Sequence, residues 1–133
     1  MMQSQIIATP KLFIGMDIHK KSWSVHLRTD ISDHKTMTIP SNPDVLYNYV
    51  SANFPDHQIN LAYESGCCGF SAARYFLNLG WEVLVVNPAD VPRINKQNYQ
   101  KTDKIDCRNL AKHLQAGLLK GIFIPYVIYS LFQ

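Results

Sequence analysis

Two aspartates, Asp103 and Asp106, lie three residues apart in a basic segment of this sequence, QKTDKIDCRNLAKHL (100–114). They are the only acidic residues between positions 93 and 112, where six basic residues occur: Arg93, Lys96, Lys101, Lys104, Arg108 and Lys112. Acids spaced in this way can cap the first turn of a helix, where backbone N–H groups lack partners. They can also bind a cation whose other ligands come from elsewhere in the chain.

Two further acids occupy positions that suit a shared site. Asp17 interrupts the apolar stretch FIGMDIH, where an isolated carboxylate is costly unless it is paired or bound to a metal. Glu64 ends the stretch INLAYE, just before a glycine-containing turn. Each acid also has a purely structural interpretation: Asp17 as a strand-end acid that caps a turn, and Glu64 as a solvent-facing strand end. The residues alone leave both interpretations open.

Together the four acids predict a catalytic metal site with the ligands Asp17, Glu64, Asp103 and Asp106. Several carboxylates are needed to hold two Mg²⁺ ions roughly 3.5–4 Å apart, and ligation by oxygen favours Mg²⁺ or Mn²⁺ over zinc. Such ions act on phosphodiesters, and nearby basic residues would hold the phosphate backbone. The predicted nucleic-acid-binding residues are Lys20, Lys21, Arg93, Lys96, Lys101, Lys104, Arg108 and Lys112. His19 follows Asp17 closely, but we interpret it as an ordinary polar group at a strand end.

The hydrophobic pattern predicts the elements that position these acids. Strands are predicted over 11–19, 22–29, 35–39, 59–65 and 82–87, and helices over 43–54, 70–80 and from Thr102 or Asp103 to about Lys120. The order β-β-β-α-β-α-β-α predicts an α/β fold, with a mixed five-stranded sheet and helices on both faces. It is the order of the ribonuclease H-like fold, which other α/β domains could share.

The predicted positions bring the acids together. In α/β sheets, sites form at the carboxyl ends of parallel strands, so Asp17 and Glu64 can meet there if their strands are adjacent and parallel. On a helical wheel, the last helix has an apolar stripe of Cys107, Leu110, Ala111, Leu114 and Leu118. Asp103 and Asp106 extend this stripe toward the helix start, whereas Lys104, Arg108 and Lys112 share another flank.

Composition and charge limit the classes of protein to which this sequence can belong. The 133 residues fit one domain, and a hydrophobic content of 47% is enough for a real core. A net charge of +3 is too mild to indicate nucleic acid by itself. No signal peptide is visible, and the three cysteines form no CxxC pair, which predicts a reducing, cytoplasmic compartment. The uncharged end GIFIPYVIYSLFQ is too short for a membrane span.

Three stretches carry a resemblance to a known family: FIGMDIHKKSW, YESGCCGFSAARYFLNLGWEVLVVNP and QKTDKIDCRNLAKHLQAGLL. They resemble the N-terminal domain of the DEDD transposases of bacterial insertion sequences, a domain similar to the Holliday-junction resolvase RuvC. The resemblance covers about residues 12 to 125, and its specific element is KTDKxD with VVNP upstream. It assigns the family's acids to Asp17, Glu64, Asp103 and Asp106.

The resemblance implies a Mg²⁺-dependent domain for DNA strand cleavage. Family members resemble RNA-guided recombinases, so a structured guide RNA is a further expected partner beside DNA. The apolar end of the sequence could pair with another copy, so a homo-oligomer is expected as well. In the family, a linker and a second domain with a catalytic serine follow, whereas this sequence stops after YVIYSLFQ. We therefore expect an N-terminal tail (1–11), a RuvC-like domain (12–121) and an apolar tail (122–133) of a truncated copy.

Three alternative functions differ in chemistry. The chain could be a non-catalytic fragment that binds nucleic acid or dimerises. An assay for metal-dependent strand cleavage would distinguish this fragment from a cleavage domain. It could be a standalone junction resolvase, which would cut branched DNA without RNA. An ATP-binding domain of the sugar-kinase kind ranks low, because MDIHKKSW lacks the glycine-rich phosphate loop that such a domain needs.

Overall fold

Five strands and three helices make up the regular structure of the computed structural model, which describes residues 8–66, 70–91, 106–122 and 124. The strands are β1 (Lys11–Ile18), β2 (Ser22–Thr29), β3 (Asp33–Pro40), β4 (Gln58–Glu64) and β5 (Glu82–Val86). The helices are α1 (Pro43–Asn53), α2 (Ser71–Asn78) and α3 (Cys107–Ala116), with a short 3-10 helix at Pro88–Asp90. Among these helices none combines the length and apolar character that crossing a membrane requires.

The sheet has the strand order β3-β2-β1-β4-β5. The first three strands form an antiparallel meander, and β4 and β5 then continue the sheet parallel to β1. A helix connects β4 to β5, as parallel neighbours require. The predicted α/β fold with a five-stranded mixed sheet is confirmed, and its element order matches the ribonuclease H-like arrangement.

Helices cover both faces of the sheet, which is why its central strand is apolar almost throughout. Leu12, Ile14 and Met16 of β1 are fully buried in one core with residues of α1 and α2. Side chains alternate between faces along a strand, so Gly15 faces the opposite side, where α3 packs across β1, β2 and β4.

Gly15 allows an unusually close contact between a strand and a helix. A Cβ atom at this position would overlap the carbonyl oxygen of Cys107 and lie 2.6 Å from the amide nitrogen of Ala111. Only a residue without a side chain lets α3 lie this near β1. The first turn of α3 is thereby fixed over the carboxyl half of the central strand.

The predicted limits of the last helix are wrong at both ends. Asp106 has the extended conformation of an N-cap (φ −76°, ψ 164°), so α3 begins at Cys107 rather than at Thr102 or Asp103. Gly117 adopts a left-handed conformation (φ 75°) and ends the helix at Ala116 rather than near Lys120. Leu118 therefore lies beyond the helix and is 57% exposed, not part of a buried stripe.

Replacing Gly15 tests the close contact directly. We expect Gly15→Ala to lower the free energy of unfolding by about 1–3 kcal/mol or more, because the methyl group must displace helix backbone. Urea denaturation would measure this change. Gly66→Ala is the matched control, since a Cβ atom there meets nothing within 4 Å. Equal stability of the two variants would contradict the close approach of α3 to β1.

Candidate metal and nucleic-acid site

Asp17 lies near the carboxyl end of β1, on the face covered by α3. Its neighbours Met16 and Ile18 point into the core of the other face, and its own side chain keeps 24% of its surface exposed. The Oδ2 atom of Asp17 lies 3.2 Å from Nε2 of His19, which donates a hydrogen bond when that nitrogen carries the proton. A half-buried carboxylate with one oriented neighbour can still accept further ligands from solvent.

Glu64 is the last residue of β4, the strand beside β1. The two strands pair in parallel up to Met16 opposite Tyr63. Asp17 and Glu64 are the next residues along each strand, so strand alternation puts both on the face of α3. The two acids predicted to meet at the carboxyl edge of the sheet thus lie on adjacent parallel strands.

Asp106 approaches this edge from the start of α3. Its Oδ1 atom accepts a 2.9 Å hydrogen bond from the backbone N–H of Asn109, so it caps the helix. Burial raises the pKa of the adjacent Cys107 thiol, and the carboxylates of Asp106 and Asp17 raise that pKa further. Both carboxylates therefore lie within electrostatic range of one thiol, at the junction of α3 and β1.

The described residues include three of the four predicted metal ligands. Asp17 and Glu64 lie near the ends of adjacent strands and Asp106 lies at the start of α3, whereas Asp103 lies outside the described residues. Within the ranges that the structure describes, no three His, Cys, Asp or Glu side chains are close enough to hold one ion. The donor chemistry nevertheless fits Mg²⁺ or Mn²⁺, because all three acids supply carboxylate oxygens.

Four of the predicted basic residues are exposed in the described part of the chain, and one of them, Lys112, lowers the pKa of Asp33 at the start of β3. Lys20 and Lys21 are exposed in the turn between β1 and β2, immediately after Asp17 and His19. Arg108 and Lys112 are exposed on the outer side of α3. The predicted nucleic-acid-binding residues Arg93, Lys96, Lys101 and Lys104 lie outside the described residues.

A polar network that the sequence did not indicate holds the other end of α3. His26 is 2% exposed, and its Nε2 and Nδ1 atoms lie 2.7 Å from Asp33 and 2.5 Å from Thr36. Arg28 donates hydrogen bonds to Asp33 (2.9 Å) and to Gln115 of α3 (2.7 Å). The hydrogen bond with His26 is the main cause that lowers the pKa of Asp33, with Arg28 adding to it. His26 pairs with Gly15 of β1 and lies on the face of the sheet that α3 covers.

Two substitutions separate the capping role of Asp106 from its charge. We expect Asp106→Ala to lower the free energy of unfolding by about 1 kcal/mol, because the helix loses its N-cap. Asp106→Asn should remain within a few tenths of a kcal/mol of the parent chain, since asparagine caps equally well. Urea denaturation in metal-free buffer would measure both. An equal loss in Asp106→Asn would show that the carboxylate charge, not the cap, is what stabilises the fold.

Comparison with known proteins identifies the family of this chain. A model of the DEDD transposases of the IS110 type, described as a transposase family, matches residues 14–130, a range that includes all four candidate acids. The transposase for insertion sequence element IS1533 of Leptospira borgpetersenii is 28% identical over 109 residues, which are 80% of this chain and 31% of that protein.

A second relative is the y4qE protein of Sinorhizobium fredii, which bears a provisional transposase name. It is 33% identical over 76 residues, which are 57% of this chain and 19% of that protein. The chain thus spans about a third of the length of one relative and a fifth of the other. With the family match over most of its residues, the chain belongs to the IS110-type DEDD transposases of insertion sequences.

Proposed function

We propose that this chain supplies the metal-dependent part of DNA strand cleavage in a transposase. Asp17, Glu64, Asp103 and Asp106 would be the ligands of Mg²⁺ or Mn²⁺. The observation that carries the proposal is the parallel register of β1 and β4, which runs up to Met16 opposite Tyr63, one residue before Asp17 and Glu64, where the start of α3 also packs on β1. Sites in α/β sheets form at this edge.

The local chemistry supports this proposal. When bound, divalent ions would activate a nucleophile and stabilise the leaving oxygen of a phosphodiester. His19 would orient the carboxylate of Asp17 through their 3.2 Å contact. The N-terminus of α3 carries the positive end of the helix dipole, which favours carboxylates and phosphates near Asp106. Partial exposure of Asp17 and Glu64 would let a DNA strand reach them.

The partners follow from the charges around this edge. Lys20, Lys21, Arg108 and Lys112 would hold DNA phosphates, and the predicted basic residues in 93–104 would extend that surface. The family resemblance adds a structured guide RNA to the proposal, and the apolar end of the sequence adds a homo-oligomer. A domain that acts on bacterial DNA would work in the cytoplasm.

A second candidate function is nucleic-acid binding without cleavage. The capping bond from Asn109 to Asp106 favours it, because it gives Asp106 a structural role that needs no metal. A cap still leaves the second oxygen of the carboxylate available, so capping and metal binding are compatible. Titration with metal distinguishes the two functions.

Titration of the chain with Mn²⁺ tests the metal proposal. Paramagnetic Mn²⁺ should first broaden the backbone amide signals at the ends of β1 and β4 and at the start of α3. Calorimetry with Mg²⁺ should show binding that Asp17→Asn and Glu64→Gln each weaken at least about tenfold, the loss of about 1.4 kcal/mol. Asp56→Asn, an exposed acid before β4 at the opposite edge of the sheet, is the matched control.

Two outcomes of the metal titration would contradict the metal proposal. Broadening elsewhere in the chain, or an equal effect of Asp56→Asn, would assign the metal to other carboxylates. A chain that binds duplex DNA but shows neither broadening nor heat with either metal would favour the second candidate function.

Salt dependence of DNA binding tests the basic surface. Replacing both Arg108 and Lys112 with glutamine should weaken duplex binding and reduce the slope of log K against log salt by about 1.8, or 0.9 for each lost phosphate contact. Fluorescence anisotropy over a salt series would measure the slope. Lys11→Gln with Lys35→Gln removes the same charge from exposed lysines of β1 and β3. An unchanged slope in the α3 variant would exclude this flank from the DNA interface.

A further inference from the structure

A cavity of about 290 Å³ opens at the carboxyl end of β1, on the side of α1 and α2. Its walls come from the turn after β1, the segment before α1 and the first turn of α2, including His19, Lys20, Ser41 and Ser71. This volume is near the lower limit of ligand pockets, which is room for one small molecule. The function proposed above does not use this cavity.

The inner wall of the cavity is aromatic. Trp23, only 5% exposed, and Tyr75 both line it, and both rings are held edge-on against Phe76, at centroid distances of 6.3 and 5.3 Å. The Tyr75 hydroxyl donates a hydrogen bond to Asp44, an interaction that raises the pKa of Tyr75 and fixes its ring. Rigid aromatic walls of this kind stack nucleobases in many nucleic-acid-binding proteins.

The outer rim of the cavity is polar and favours an anion. Lys20 supplies a positive charge, and the Ser41 hydroxyl donates to the carbonyl of Lys20 at 2.9 Å, which holds the two chain segments together. The helix α2 begins at this rim with no acidic residue in its first turn, so the positive end of its dipole adds to the charge of Lys20, whereas Asp44 offsets the dipole of α1. An apolar inner wall beside Lys20 and the start of α2 matches a ligand that carries a flat base and a phosphate.

One residue links this cavity to the candidate metal site. His19 lines the cavity and also contacts Asp17 at 3.2 Å. We propose that the cavity binds one unpaired nucleotide of the DNA strand, next to the phosphodiester that the acids engage. The base would lie against Trp23 and Tyr75, and Lys20 would contact the phosphate. This inference rests on the proposed function for its position beside the acids, whereas nucleotide binding itself needs no metal.

The two tryptophans of the sequence give a direct readout on the chain itself. Trp23 lines the cavity, whereas Trp81 stacks on Phe76 at 4.6 Å and is not among the lining residues. In a metal-free NMR titration, deoxyadenosine 5′-monophosphate should shift the indole N–H signal of Trp23 and leave that of Trp81 nearly unchanged. The Trp81→Phe variant would assign the two signals.

Two parallel titrations identify the chemistry of the ligand. Deoxyadenosine should shift the Trp23 signal in the same direction but bind more weakly, because it lacks the phosphate. Inorganic phosphate should leave the Trp23 signal in place. A phosphate titration that reproduces the nucleotide shift would overturn the nucleotide assignment, as would equal shifts of both indole signals or no shift of Trp23.

Variants at Lys20 test whether the rim of the cavity binds the phosphate of the nucleotide. Lys20→Gln should weaken binding of the mononucleotide about tenfold, as expected for one charge-assisted contact. Lys11→Gln removes the same charge at the opposite end of β1 and should have no effect. Equal affinities of the two variants would overturn the role of Lys20. Because buffer without metal is used, nucleotide binding by a chain that fails to bind Mg²⁺ would retain the cavity and reject the metal site alone.

Discussion

The contact between Gly15 and the first turn of α3 is the constraint on which the rest of this structure depends. The central strand β1 has large buried side chains on the face of α1 and α2, yet at Gly15 it has none on the other face. A closely packed interior transmits any displacement at such a point, because no void can absorb it. If α3 lay farther from β1, Asp106 would move away from Asp17 and Glu64 as well. Gly15, which has no reactive side chain, thus sets the distance between the start of α3 and the strand that carries Asp17.

Opposite ends of α3 are fixed by different physical means. At the start, burial and the carboxylates of Asp106 and Asp17 raise the pKa of the Cys107 thiol, so that it stays protonated and packs as a small apolar group. At the far end, Gln115 accepts from Arg28 at 2.7 Å, and Arg28 also binds Asp33. The start of the helix is therefore positioned by close packing and its end by hydrogen bonds. This arrangement leaves the carboxylates at the sheet edge with exposed surface while their backbone is held rigidly.

The strands and the placement of Asp17 and Glu64 near strand ends could be predicted from the sequence, because alternation and turn residues are local signals. The observed limits of β2, Ser22–Thr29, are those predicted. The start of α3 could not be predicted, since a helical wheel does not distinguish a capping aspartate from one in the first turn. Burial of His26 could not be predicted either, because it depends on which helix covers the polar face. The register of β1 and β4 depends on packing between distant segments, so only the structure shows that Asp17 and Glu64 lie near the ends of adjacent parallel strands.

The carboxyl edge of the sheet presents different chemistry on its two faces. Carboxylates lie on the face of α3, and an aromatic cavity lies on the face of α1 and α2, with His19 in contact with both. Carboxylates and metal ions act on any phosphodiester that reaches them, because every nucleotide carries the same phosphate group. Cleavage at one position also requires that the strand be held in place beside the reacting group. A cavity that holds a neighbouring nucleotide would provide this positioning, since both features are attached to the last residues of the same strand. The short stretch of chain from Asp17, near the end of β1, to Lys20 in the following turn would then determine which phosphodiester meets the acids.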